Sequence, residues 1–183
     1  TSIFDKLGET GWAIINGDDP NLQEAIKNNK HKLKTFGQSE ANEVRFSDVS
    51  ISERQGVYGT AFKLHYQGSV TPMFLPNVLG WQHAQAATAA AAVALALGLN
   101  IVKIGEHLSH YQPARGRTNL ILGIKNSLII DDSYNASPQS SKVALDILAE
   151  MPTSGRRLAI FGDMLELGAI SERAHQEVGK KIA

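Results

Sequence analysis

The chain has 183 residues, a length that suits one domain or two small ones. Hydrophobic residues make up 43% and charged residues 20%, a composition that builds a core and excludes a disordered tail. Lys plus Arg and Asp plus Glu are 18 each, so the net charge of zero argues against a nucleic-acid partner, and the lack of cysteine excludes disulfides and thiolate metal sites.

At the start, Ile3, Phe4 and Leu7 recur at helical spacing. Trp12 to Asn16 is a short apolar run between Gly11 and the turn string Gly17-Asp18-Asp19-Pro20, which predicts a buried strand. Pro20 opens a predicted helix to about Asn28, because its missing N–H is an orphan in a first turn. Lys32 to Phe36 is a second predicted strand, stopped by Gly37.

Residues 43–76 alternate in part and are punctuated by Gly56, Gly59 and Gly68, which predicts an antiparallel meander. Gly80 to Leu97 is the strongest helix signal, rich in alanine, with Gly98 as its stop. Alanine on nearly every face of it predicts close neighbours on nearly every side. Ala86 to Leu99 is the most apolar run, and it falls short of the roughly 18–20 apolar residues of a membrane span. No basic segment followed by an apolar one opens the chain, so no secretory leader is expected. A shorter helix is predicted from Ile101 to Leu108.

After Pro113 the pattern turns to alternating strand and helix. Leu128 to Ile130 reads as a strand covered on both faces, and Ser137-Pro138 as the cap and first residue of a helix with Val143, Ile147 and Leu148 on its apolar stripe. Arg157 to Phe161 reads as another buried strand, closed by Gly162-Asp163, and Ser171 as the cap of a last helix running to Ala183. Strand, helix, strand at these lengths predicts a βαβ unit of a mostly parallel sheet that continues beyond the chain.

Open parallel sheets bind ligands at the carboxyl ends of their strands. Asn16-Gly-Asp-Asp19 at one such end reads first as turn and cap chemistry. Asp131-Asp-Ser-Tyr-Asn135 at another reads equally as a turn or as a ligand site, since carboxylates there accept ribose hydroxyls or hold magnesium through water. Arg115-Gly-Arg117 lies between the halves, either as a solvated linker or as a fork for phosphate, with Gly116 allowing close backbone approach. Gln82 and His83 open the alanine helix, either as capping groups or as readers of a base edge. His107 and His110 lack a third ligand nearby, and no metal site is expected from them. Neither a Gly-x-x-x-x-Gly-Lys-Ser/Thr loop nor a Gly-x-Ser-x-Gly elbow occurs.

Together these strings resemble the Mur ligase family, MurF type. Asp131-Asp-Ser-Tyr-Asn-Ala-Ser-Pro138 is similar to its Asp-Asp-Ser-Tyr-Asn-Ala-Asn-Pro signature, and Gly162-Asp-Met-Leu-Glu-Leu-Gly168 with His175 and Val178-Gly179 to its next block. Upstream, Ile3-Phe4, Leu7 and Gly11 through Pro20 resemble a block of its ATPase domain, and Pro113 through Arg117 its Pro-x-x-Gly-Arg junction.

The resemblance implies an α/β chain. Residues 1–113 would be the later part of a central ATP-binding domain, a mixed sheet with an antiparallel meander. Residues 114–183 would be the first part of a Rossmann-like C-terminal ligase domain. The family's phosphate loop and carbamylated lysine would lie before Thr1, so this piece alone is expected to be inactive. The implied reaction is ATP-dependent addition of D-Ala-D-Ala to a UDP-N-acetylmuramoyl tripeptide through an acyl phosphate, in peptidoglycan precursor synthesis, with ATP and Mg²⁺. The implied enzyme is a cytoplasmic monomer without nucleic-acid partner or membrane insertion. Arg117 and Asp132 are the implied catalytic residues, both reaching ATP. Gln82 and His83 stand where the family places His and Asn against the nucleotide, with Ala86 in place of a second Asn. Tyr134 and Asn135 would face the substrates. A sister ligase adding a single amino acid or glutamate, and a non-catalytic nucleotide-binding module, are the alternatives.

Overall fold

A computed structural model describes residues 3–8, 10–27 and 30–182. After a 3-10 turn at Ile3–Lys6, the chain forms β1 (Trp12–Asn16), α1 (Pro20–Ala25), β2 (Lys32–Gly37), β3 (Val44–Arg54), β4 (Val57–Tyr66) and β5 (Ser69–Pro76). These strands make one mixed sheet in the order β1-β2-β3-β4-β5. β1, β2 and β3 pair in parallel, then β3, β4 and β5 antiparallel, as the predicted meander requires. Gln55-Gly56 and Gln67-Gly68 close its two hairpins with both residues of each pair at positive φ, the geometry whose twist matches the flanking strands. The expected helix from Pro20 stops at Ala25, and its predicted end at Asn28 lies outside the described residues.

Lys34 on β2 is buried, yet it carries its charge at low cost. Its Nζ donates to Glu43 at 2.9 Å and lies 5.5 and 5.1 Å from the rings of Trp12 and Tyr66. Glu43 and Tyr66 outweigh burial and hold its ammonium above the ordinary lysine range.

The long alanine helix is α2 (Trp81–Ala96), followed by α3 (Ile101–Leu108). α2 buries one stripe, His83, Ala84, Ala87, Thr88, Ala91 and Ala92, against Val44, Phe46, Phe62 and Leu64 of the sheet. Ala86, Ala90 and Val93 are exposed, so neighbours do not surround it as expected. An all-alanine face carries no polar contrast, and the buried side was therefore invisible in the sequence. The small side chains let the helix axis approach the sheet closely. Ala91 has no exposed surface, and Ala91→Leu is expected to cost about 1–3 kcal/mol by overpacking, read as a lower urea midpoint of this chain.

The second half contains β6 (Asn119–Leu122), β7 (Leu128–Asp131), α4 (Pro138–Glu150) and α5 (Ser171–Ile182). This half departs from the predicted βαβ unit in two respects. β7 pairs antiparallel with β6, a strand not among those predicted, and Leu128 and Ile129 are exposed rather than covered. Arg157 to Phe161 is not hydrogen-bonded into a sheet; Leu158 and Ile160 are exposed, and the Arg157 guanidinium donates to the Leu148 and Met151 carbonyls at the end of α4. Apolar content marks a strand candidate, but pairing makes the strand, and pairing is not written in a local pattern. α4 begins as expected, with Ser137 and Ser140 bonding each other's backbone N–H in a capping box. Ser171 does not cap α5 from outside. It has helical φ and ψ and continues directly from a 3-10 turn at Gly168–Ile170.

The two halves meet through a bridge between Val78 and Asn119 and an apolar cluster of Leu79, Ile147 and Met151, with Ile51, Tyr58 and Leu120 against it. No helix among the described residues is long and apolar enough to cross a membrane.

Candidate functional site

Strand ends with polar residues do two different things in this fold. After β1 the polar string builds structure. Asn16 Oδ1 accepts from the Asp18 N–H, Asp19 caps α1, and Asp18 accepts from the N–H groups of Gln38 and Ser39 and from Asn42 Nδ2. This is the turn-and-cap reading. The string at 162–168 also packs: Met164 is buried against Ala174 and Val178, and its N–H donates to His175 Nε2 at 3.1 Å.

The string after β7 joins the start of α2 instead. Gly116, with φ 72, lets the chain turn beneath the β7–α4 loop, and its carbonyl accepts from the Tyr134 N–H at 3.2 Å. A Cβ there would stand 2.8 Å from that nitrogen, so only glycine fits. The turn places Thr118 at the junction. Its N–H donates to Asp132 Oδ1 at 3.0 Å, while its Oγ1 lies 2.8 Å from His83 Nε2 and accepts from Gln82 Nε2 at 3.3 Å. Thr118 thus connects three of the sequence-predicted residues: Gln82, His83 and Asp132.

Burial sets the electrostatics. Asp132 is half-buried, and desolvation raises its carboxyl above the ordinary range despite the Thr118 amide and the Arg117 charge. His83 is buried and held below the ordinary imidazole range by desolvation. Both of its ring nitrogens have protein partners, since Nδ1 lies 3.4 Å from the Tyr111 hydroxyl. Gln82 differs: its Oε1 is a buried side-chain oxygen without a partner among the described residues.

Arg117 is exposed, with its guanidinium carbon 4.4 Å from the centre of the Tyr134 ring. Its backbone N–H donates to Asn119 Oδ1, and among the described residues its side chain has no carboxylate at ion-pair distance. Tyr134 and Asn135 are both exposed on the loop between β7 and α4, where Asn135 Oδ1 accepts from the Ala136 N–H. A cleft of about 410 Å³ opens alongside, lined by Asn77, His110, Tyr111, Pro113, Arg115 and Asn119.

Thr118 and Tyr111 were missed by sequence reasoning. The signal for Thr118 was its place directly after Gly116-Arg117, but a threonine hydroxyl shows no partner until the turn has been built. Tyr111 carried no signal beyond lying next to a helix end.

Residues 1–94 match the Mur ligase middle domain, and residues 116–183 match the Mur ligase glutamate ligase domain. The chain is 34% identical over 181 residues to the UDP-N-acetylmuramoyl-tripeptide–D-alanyl-D-alanine ligase of Bacillus subtilis, covering 99% of this chain and 37% of that protein. In structure it is similar to MurF from Acinetobacter baumannii, with TM-score 0.82, 31% identity, and coverage of 99% of this chain and 38% of that one. It is also similar to the MurF ligase from Thermotoga maritima in complex with ADP, with TM-score 0.79, 26% identity, and coverage of 95% and 38%. The chain spans under two-fifths of the length of these relatives.

Proposed function

Because the chain belongs to the Mur ligase family, we propose that the complete protein is an ATP-dependent ligase that adds D-Ala-D-Ala to a UDP-N-acetylmuramoyl tripeptide in peptidoglycan precursor synthesis. The observation that carries this reading is the meeting of Asp132, from the second half, with the start of α2, from the first, on the backbone and side chain of Thr118. Residues 1–113 then form the later part of the central domain and residues 114–183 the first part of the ligase domain.

The donor set suits a nucleotide. Gln82 Oε1, buried and unpartnered, is an acceptor for a nucleobase amino group. The Arg117 guanidinium, without an ion-pair partner among the described residues, presents a planar fork of donors for phosphate oxygens. The Asp132 carboxylate accepts ribose hydroxyls, which compensate the desolvation it suffers in their absence. His83, with both nitrogens engaged, contributes by holding the start of α2 against Thr118. ATP supplies the phosphoryl group that activates the peptide carboxylate for attack by the amine.

Tyr134 and Asn135 border the same junction and are assigned to the peptide and amine substrates. Closing the junction excludes water, which would otherwise compete with that amine. The side chains here do not form a cage for Mg²⁺: no three His, Asp or Glu among the described residues come together as ligands. Mg²⁺ is therefore given no ligand from this chain. The enzyme is read as a cytoplasmic monomer.

The test is an acceptor panel on the complete protein. Turnover with D-Ala-D-Ala is expected to exceed that with any single amino acid by more than about tenfold. Preference for a single amino acid transfers the protein to a sister ligase activity, and no turnover with any acceptor leaves a nucleotide-binding module.

A further inference from the structure

The geometry points to Thr118 as the positioning residue that sets Arg117 and Asp132 in register with the start of α2. The inference rests on the reading that Arg117 and Asp132 serve a nucleotide.

Three properties coincide at this residue. It is buried, with 3% of its surface exposed. It is β-branched and yet sits at φ 51, in the left-handed region that such side chains avoid. It also uses both backbone and side chain, since its N–H holds Asp132 and its Oγ1 meets His83 and Gln82. A strained conformation persists only where its surroundings over-determine it. Here the surroundings are these bonds, and they come from opposite sides of the junction.

The proton arrangement is constrained as well. Burial keeps His83 neutral, so one ring nitrogen donates and the other accepts. If Nδ1 accepts from the Tyr111 hydroxyl, Nε2 donates to Thr118 Oγ1, which then takes donors from both His83 and Gln82. With the opposite tautomer the hydroxyl donates to Nε2. In either case the hydroxyl is the group through which α2 senses where the Arg117–Thr118 turn stands. Release of the hydroxyl frees the backbone to leave positive φ. That movement turns both the N–H that holds Asp132 and the adjoining Arg117.

A buried threonine that merely fills space would behave otherwise, and three substitutions separate the cases. Thr118→Val keeps the shape and the branch but removes the hydroxyl. Thr118→Ser keeps the hydroxyl, and Thr118→Gly removes it while favouring the backbone conformation. In the complete ligase, Thr118→Val is expected to lower kcat about tenfold with a smaller change in KM for the acceptor, and Thr118→Ser to restore most of it. Thr118→Gly is expected to be as impaired as Thr118→Val although its backbone strain is relieved.

A readout independent of activity is the ¹⁵N spectrum of the His83 ring in the complete protein. The Nε2 shift is expected to move in Thr118→Val and Thr118→Gly and to stay in Thr118→Ser. Wild-type kcat in Thr118→Val overturns the inference, as does an unmoved Nε2 shift or equal damage from Ser and Val. Should Thr118→Val fail to fold, the contrast between Thr118→Ser and Thr118→Gly in kcat and in the ring spectrum decides by the same criteria. Arg117→Ala separates the two levels: impaired Arg117→Ala with unimpaired Thr118→Val sinks the positioning role alone, whereas unimpaired Arg117→Ala sinks the nucleotide reading beneath it.

Discussion

Arg117→Ala is expected to lower the turnover of the complete protein in the proposed ligase reaction by more than about tenfold, while leaving the melting temperature of this chain unchanged within about 2 °C. The two halves of that expectation have separate causes. The side chain is exposed, lies over the Tyr134 ring and acts on Asp132 only through its charge, so its removal leaves no cavity and no buried orphan. Contact with the ring restrains the guanidinium, and a restrained fork delivers paired N–H groups to a phosphate with less rotamer freedom left to lose. A charge-assisted contact of that kind is about twice as strong as a neutral one. Arg117→Lys retains the charge but not the planar fork, and is expected to recover only part of the loss. Steady-state kinetics of the three proteins checks this, and wild-type kcat/KM in Arg117→Ala removes the residue from the site.

Asp132→Asn is expected to move activity and stability in opposite directions. The amide oxygen still accepts from the Thr118 N–H, so the junction keeps its bond. The carboxylate is lost, and with it the second anionic acceptor that the proposed reading gives to a ribose; turnover of the complete protein in that reaction is expected to fall by about tenfold or more. Stability follows from the raised pKa. A carboxyl raised in the folded state favours folding most when protonated, below its unfolded value of about 3.9, and that contribution is lost as pH rises through the folded value. At pH 7 the wild type therefore carries a desolvated charge that the Asn variant does not. Asp132→Asn is expected to melt higher at pH 7, with the gap closing as pH falls through the carboxyl range. Melting curves of this chain across pH measure it, and a gap that widens toward acid contradicts the assignment.

On the proposed reading, a carboxylate that destabilises its own fold is what a site kept ready for a ligand should contain. The same reasoning applies to Gln82, whose buried Oε1 has no partner among the described residues, so that a bound donor would offset its desolvation.

The parts of this fold carried by local chemistry were legible in the sequence. Pro20, Gly56, Gly68, Gly98 and the Ser137-Pro138 pair each have one physical use, and the helices and hairpins begin or end beside them, whereas Gly59, expected to punctuate the meander, lies inside β4. The parts decided by partners were not. Leu158, Ala159 and Ile160 have the content of a buried strand, but no described strand pairs with them. The buried stripe of α2 was hidden because alanine looks the same on either face. The site divided along the same line. Arg117, Asp132, Tyr134 and Asn135 stood out through a motif, and Gln82 and His83 through their place at a helix start. Thr118, which touches three of these six residues, had no such mark, because a hydroxyl acquires meaning only when a turn delivers it to its neighbours.

The order of the large sheet bears on how the molecule assembles. Each of its strands is hydrogen-bonded to the strand that precedes or follows it in the chain, so no pairing needs a distant segment to arrive first. The entropy of closing each loop is met in small instalments, least of all at the Gln55-Gly56 and Gln67-Gly68 hairpins. The long-range bridge of Val78 to Asn119, and the threonine beside it, then close upon a platform already built from neighbours.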